Sequence, residues 1–147
     1  MDEDWVLQKE NRIINHLLII DDDQLTDILI EGISNNLNLI NRFIFKTNGW
    51  KALEYLSFCK QTNDFPNLII LDLKMPEMTG YEFLEKYEQL YFEDFLNTKI
   101  VIATNSPLKY EKDAANSFPS IDLFINKPIV KEKFLYIYKT LFEASEN

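Results

Sequence analysis

Short runs of Ile, Leu, Val and Phe recur along the chain at 16–20, 42–46, 67–71, 99–103 and 122–125, each the length of one strand. Between them lie longer stretches whose apolar residues return every third or fourth position, such as Leu53, Tyr55 and Leu56, or Phe83, Leu84, Tyr87 and Leu90. That spacing lays one apolar stripe along a helix, so the pattern predicts helices over 24–35, 49–60, 80–91, 109–118 and 131–144. Strands that are apolar on consecutive residues, rather than on alternate ones, are covered on both faces. Five strand-helix units in succession therefore predict an α/β chain. Its architecture would be a three-layer, doubly wound, five-stranded parallel sheet of the flavodoxin-like kind, in the order 2-1-3-4-5.

Residues 1–15 precede the pattern and read as an N-terminal extension, either a short extra helix or a frayed arm. Residues 16–144 read as one domain and 145–147 as a tail. A length of 147 residues suits a single core and leaves no room for an added DNA-binding module, so a stand-alone domain is expected. An aromatic content of 14% excludes a disordered chain. The formal charge of −9, with no stripe of Lys or Arg, argues against direct nucleic-acid or membrane binding. It suits docking on a basic or mixed partner surface, and it serves solubility equally well. No apolar run approaches the roughly 18 residues of a membrane span, and Asp2, Glu3 and Asp4 interrupt any secretory core, so a cytoplasmic location is expected. Cys59 is the only cysteine, which excludes an internal disulfide and leaves a small buried residue as its reading. His16 is the only histidine; it excludes a multi-histidine metal site and reads as a packing or surface residue.

Candidate chemistry collects at the ends of strands. Asp21, Asp22 and Asp23 follow the first, Asp72 the third, Thr104 closes the fourth and Lys127 follows the fifth. In a doubly wound sheet these ends meet at the switch between the first and third strands, where ligands bind. Carboxylates gathered there repel one another unless a cation neutralises them, and Mg²⁺ prefers hard oxygen ligands. A carboxylate can also attack phosphorus, with a metal and an ammonium stabilising the transferred group and a hydroxyl bonding one of its oxygens. Each residue alone has a plainer reading: an Asp run caps a helix, Thr suits strands, and Lys-Pro commonly ends one. Acids, hydroxyl and lysine at four different strand ends are harder to explain singly.

The segments LLIIDDD, NGWKALEYL, LIILDLKMPEMTGYEFL, IVIATNS and FINKPI resemble the receiver domains of response regulators, over roughly residues 17–142. The resemblance implies a protein of two-component signalling that accepts a phosphoryl group on Asp72 from a histidine kinase or histidine phosphotransfer protein. It implies Mg²⁺ bound by Asp22 directly, by Asp21 mainly through water, by Asp72 and by the carbonyl of Lys74, with Asp23 as a helix cap. Met75, Pro76 and Gly80 match the loop after the acceptor, and the Lys127-Pro128 bond matches one that is typically cis. Thr104 and Phe124 match the hydroxyl and aromatic of the family's switch, whose output is the face formed by the helix over 109–118, the fifth strand and the last helix. That face would signal to an unidentified output protein, relay phosphate onward, or pair two copies as a homodimer. Such a protein assists its own phosphorylation and dephosphorylation without being an enzyme in the usual sense.

The sequence departs from the family at Asn105, where a small residue is usual and where a larger one restricts access to Asp72. Lys74 and Ser106 occupy positions that vary in the family and govern the lifetime of the acyl phosphate. The turn Ser117-Phe118-Pro119-Ser120 lacks the usual Gly-Ala. Two other readings stand beside the first: a receiver-like interaction module independent of phosphorylation, and a Mg²⁺-dependent phosphatase. The phosphatase would need a second acid two residues beyond the nucleophile, where this chain has Lys74.

Overall fold

A computed structural model of the protein describes residues 14–105, 113 and 116–143. Ser106, six of the ten residues of the helix expected over 109–118, most of the N-terminal extension and the tail lie outside the described residues. The strands are β1 (Leu17–Ile20), β2 (Phe43–Lys46), β3 (Leu68–Leu71), β4 (Lys99–Thr104) and β5 (Leu123–Asn126). They form one parallel sheet in the order β2-β1-β3-β4-β5, as the alternation of apolar runs and stripes predicts.

The helices are α1 (Gln24–Leu37), α2 (Gly49–Gln61), α3 (Gly80–Tyr87) and α4 (Lys131–Tyr138). Polar side chains start the first three. Asp23 accepts from the Leu25 N–H, Asn48 from the Lys51 N–H, and Thr79 and Glu82 form a reciprocal capping box. The ends of α3 and α4 relax into π turns at Glu88–Phe92 and Lys139–Glu143.

Successive residues of each central strand point to opposite faces, and each face has its own helical layer. Leu17, Ile19, Leu68, Ile70 and Val101 pack with Ile30 and Ile33 of α1 and Phe134 and Ile137 of α4. Leu18, Ile20, Ile69, Leu71 and Ile102 pack with Ala52 and Leu56 of α2 and Phe83, Leu84 and Tyr87 of α3. Each fully buried Leu or Ile contributes roughly 1.5–3 kcal/mol, so β1 and β3, buried along their whole length, anchor the domain. Ile14 adds a parallel bridge to Ile40 at the sheet's edge.

His16, the residue before β1, is buried at the amino ends of β1 and β3. Its Nε2 lies 2.7 Å from the Tyr55 hydroxyl, and its Nδ1 lies 3.1 Å from Arg42 Nη2 and 3.4 Å from Asp64 Oδ1. Arg42 and Asp64 also pair with each other, and the His16 N–H donates to Asn67 Oδ1 at 3.0 Å. The packing role read for His16 holds. Cys59 is buried on α2 beside Tyr55, and burial pushes its thiol above the ordinary value, which suits an inert core residue.

Candidate functional site

The register of the sheet fixes the site. Ile20 of β1 pairs with Leu71 of β3, so the next residues, Asp21 and Asp72, leave the sheet side by side. The ladder continues one step past them: the Asp72 N–H donates to the Ile20 carbonyl at 2.9 Å, and the Asp21 N–H to the Lys46 carbonyl at 3.1 Å. On the other flank Thr104 pairs with Asn126, and the Lys127 N–H donates to the Thr104 carbonyl at 2.9 Å. Main-chain bonds that also hold the sheet therefore bring the four side chains together.

Carboxylate oxygens of Asp21, Asp22 and Asp72 all lie within 4.8 Å of one another. Asp21 and Asp72 are 2% and 6% exposed, so two of the three acids are almost wholly removed from water. Lys127 Nζ sits between them, 2.8 Å from Asp21 Oδ2 and 3.3 Å from Asp72 Oδ2. Asp21 is further held by the Thr26 hydroxyl at 2.7 Å and the Asp23 N–H at 2.9 Å. The Lys74 N–H donates to Asp72 Oδ1 at 3.3 Å.

Burial and the neighbouring Asp21 charge raise the Asp72 carboxyl from its ordinary value to about 6, against the lowering pull of Lys127. Burial would depress the Lys127 ammonium, but Asp21 and Asp72 outweigh it and hold it above the usual lysine value. One cation shared between two acids thus compensates Asp72 only in part. The Thr104 hydroxyl is buried and has no hydrogen-bond partner, an arrangement that native interiors rarely leave in place.

Asp22, Asp23, Asp72, Lys74, Thr104, Asn105 and Lys127 line one pocket of about 290 Å³. Phe124 is not among its lining residues; it sits half-buried on β5 against the α2–α3 core. The Lys127-Pro128 peptide is cis, as the resemblance implied. The loop leaving Asp72 folds back tightly. A Cβ on Gly80 would stand 2.7 Å from the Asp72 carbonyl oxygen and 2.7 Å from Leu73 Cα, so only glycine fits there without moving the backbone. Thr26, missed in the sequence, is the residue that steadies Asp21; five positions separate the two, and no local motif links them.

Residues 17–139 match the family described as the response regulator receiver domain. This chain belongs to that family. The receiver domain is 31% identical over 121 residues to the two-component response regulator ARR17 of Arabidopsis thaliana, with 78% of this chain and 76% of the relative aligned. It is 29% identical to ARR3 of the same plant, with 89% of this chain and 59% of that protein aligned. In structure it superposes on a two-component response regulator from Cytophaga hutchinsonii with a TM-score of 0.81 at 20% identity, covering 89% and 98% of the two chains. Receiver domains are phosphoacceptors rather than turnover enzymes; they generally bind Mg²⁺ at an acidic pocket and interact with histidine kinases or phosphotransfer proteins. Among the described residues no helix is long and apolar enough to cross a membrane.

Proposed function

We propose that this receiver domain accepts a phosphoryl group on Asp72 from a phosphohistidine of a histidine kinase or phosphotransfer protein in the cytoplasm. The reading rests on one arrangement: three clustered carboxylates, an ammonium between two of them and a buried, unpartnered hydroxyl, all at the carboxyl edge of the sheet. The donor set fits Mg²⁺, because it offers hard carboxylate oxygens whose charge Lys127 neutralises incompletely. Asp21, Asp22, Asp72 and the Lys74 carbonyl would hold the ion, with Asp21 acting mainly through water. When bound, it offsets the repulsion between the acids and the charge on the transferred phosphoryl oxygens.

The remaining work falls to the chain's own groups. An Asp72 oxygen bonds to phosphorus as the phosphorus–nitrogen bond breaks, and the electron pair passes to the donor imidazole, which takes a proton from solvent. Lys127 stabilises the phosphoryl oxygens with its charge, and the Thr104 hydroxyl donates to one of them, gaining the partner it lacks. Drawing Thr104 toward the phosphoryl group lets Phe124 turn inward. The face that includes β5 and α4 then changes its surface. An output protein, a second copy or a phosphate-relay partner reads that change.

The test is intact mass after incubation with a small phosphoramidate and Mg²⁺. A single phosphoryl adduct that is lost in Asp72→Asn and without Mg²⁺ supports the proposal. A folded protein that gains no adduct overturns it in favour of an interaction module independent of phosphorylation.

A further inference from the structure

Away from the acidic pocket, the side of the domain formed by α2, α3 and the loop before β4 exposes large apolar residues. Trp50, Leu90 and Leu96 are 55%, 53% and 65% exposed. They lie along three depressions of about 710, 290 and 500 Å³. The first and second share Leu90 and Tyr91, and the second and third share Glu93 and Asp94, so the three adjoin one another as a broken trough along this side. The stacked rings of Phe65 and Phe95, 3.7 Å between centroids, stiffen its far end, and the π turn Glu88–Phe92 crosses its middle. An irregular helical turn at a surface groove is a frequent mark of function.

The charges on the trough say what kind of partner it takes. Its two nearby lysines are already engaged: Lys86 lies over the Trp50 ring at 5.3 Å, and Lys60 pairs with Asp94 at 3.4 Å. Glu54 and Glu93 are exposed and make no ion pair among the described residues. Apolar residues dominate the two outer depressions, and acids line the middle one, on a chain whose formal charge of −9 steers cations toward it. The chain's own first thirteen residues do not supply the complement, since Asp2, Glu3, Asp4 and Glu10 outnumber Lys9 and Arg12.

The geometry points to this trough as the docking surface for a basic amphipathic helix of a partner protein, its apolar stripe against Trp50, Leu90 and Leu96 and its Lys or Arg residues toward Glu54 and Glu93. A groove between two helices, floored by apolar anchors, is the usual seat of such a helix. The surface is separate from the acidic pocket and from the face of β5 and α4, and it does not depend on the role of Asp72. It gives the domain a second means of contact that phosphorylation need not control.

The test is NMR titration of the full chain with a synthetic Leu/Lys amphipathic helical peptide and with its Leu/Glu counterpart. Binding of the basic peptide, with shifts centred on the Trp50 indole N–H, Leu53, Leu90 and Leu96, supports the inference. A tenfold or greater loss in Leu90→Arg, but not in Ile28→Arg on α1, completes that support. Absence of binding, equal binding of both peptides, or shifts spread over all acidic surfaces overturns it. Concentration-dependent shifts at the same residues without peptide overturn it in favour of a second copy as the occupant.

Discussion

His16 and Asp72 stand at opposite ends of the neighbouring strands β1 and β3, both almost wholly buried, and their surroundings treat them in opposite ways. Around His16 each ring nitrogen and the main-chain N–H has a partner, supplied by Tyr55, Arg42, Asp64 and Asn67. Around Asp72 a second acid crowds in, one ammonium serves two carboxylates, and the nearby Thr104 hydroxyl has no partner. A buried cluster that satisfies itself holds the fold. One that is left unbalanced marks a candidate functional site. The difference separates structure from function where composition cannot, because both ends use ordinary polar residues.

The comparison breaks if the two ends respond alike to substitution. The largest effect belongs to the satisfied end. His16→Ala leaves a cavity and strips partners from Tyr55 and Arg42, so unfolding free energy should fall by roughly 2–4 kcal/mol in urea titrations. At the unbalanced end the sign reverses. Asp72→Asn removes a buried charge that its neighbours disfavour, and it should raise stability at pH 7 by about 1–3 kcal/mol while abolishing phosphorylation. Loss of stability in that variant would show that Asp72 is a structural ion-pair member after all.

Smaller effects sharpen the contrast. Mg²⁺ at ten times its dissociation constant should stabilise the wild-type chain by about 1.4 kcal/mol, seen as a rise in the thermal midpoint, and Asp22→Asn should remove most of that gain. The smallest effect is read as a slope against pH. The folded chain holds the Asp72 proton up to about pH 6, where the unfolded chain has lost it, so this group adds stability as pH falls from neutrality toward 4. His16 acts the other way. Burial, then the Arg42 charge, lower its value against the pull of Asp64, so its contribution is full above pH 6.5 and declines as pH falls below that. Asp72→Asn removes this gain while the His16 loss stays, so the fall in stability on acidification should be steeper than in the wild type.

The unbalanced end was legible in the sequence and the satisfied end was not, for physical reasons. Acids, hydroxyl and lysine follow strands directly, so once the five apolar runs are read as a parallel sheet their convergence follows from topology. The strand boundaries fell within one residue of those observed, because consecutive β-branched and aliphatic runs end sharply at Asp, Asn or Lys. Partners of His16 come instead from positions 42, 55 and 64, at spacings that no local period records. Thr26 gave no signal either, since a hydroxyl inside the first turn of a helix reads as solvent-facing until Asp21 is seen curled beneath it. The predicted helix over 80–91 ends within one residue of the observed one and that over 131–144 is helical through its described residues, but their last turns are π-wound, and an apolar stripe does not distinguish the two windings.

The most direct test of Asp72 as the reacting group is to locate the phosphoryl adduct. Phosphoramidate-treated protein is reduced with borohydride, which converts an aspartyl phosphate to homoserine, and the peptides are sequenced by mass spectrometry. Homoserine at position 72 alone is the predicted result. Homoserine at Asp21 or Asp22, or an adduct that borohydride does not convert, would contradict the account.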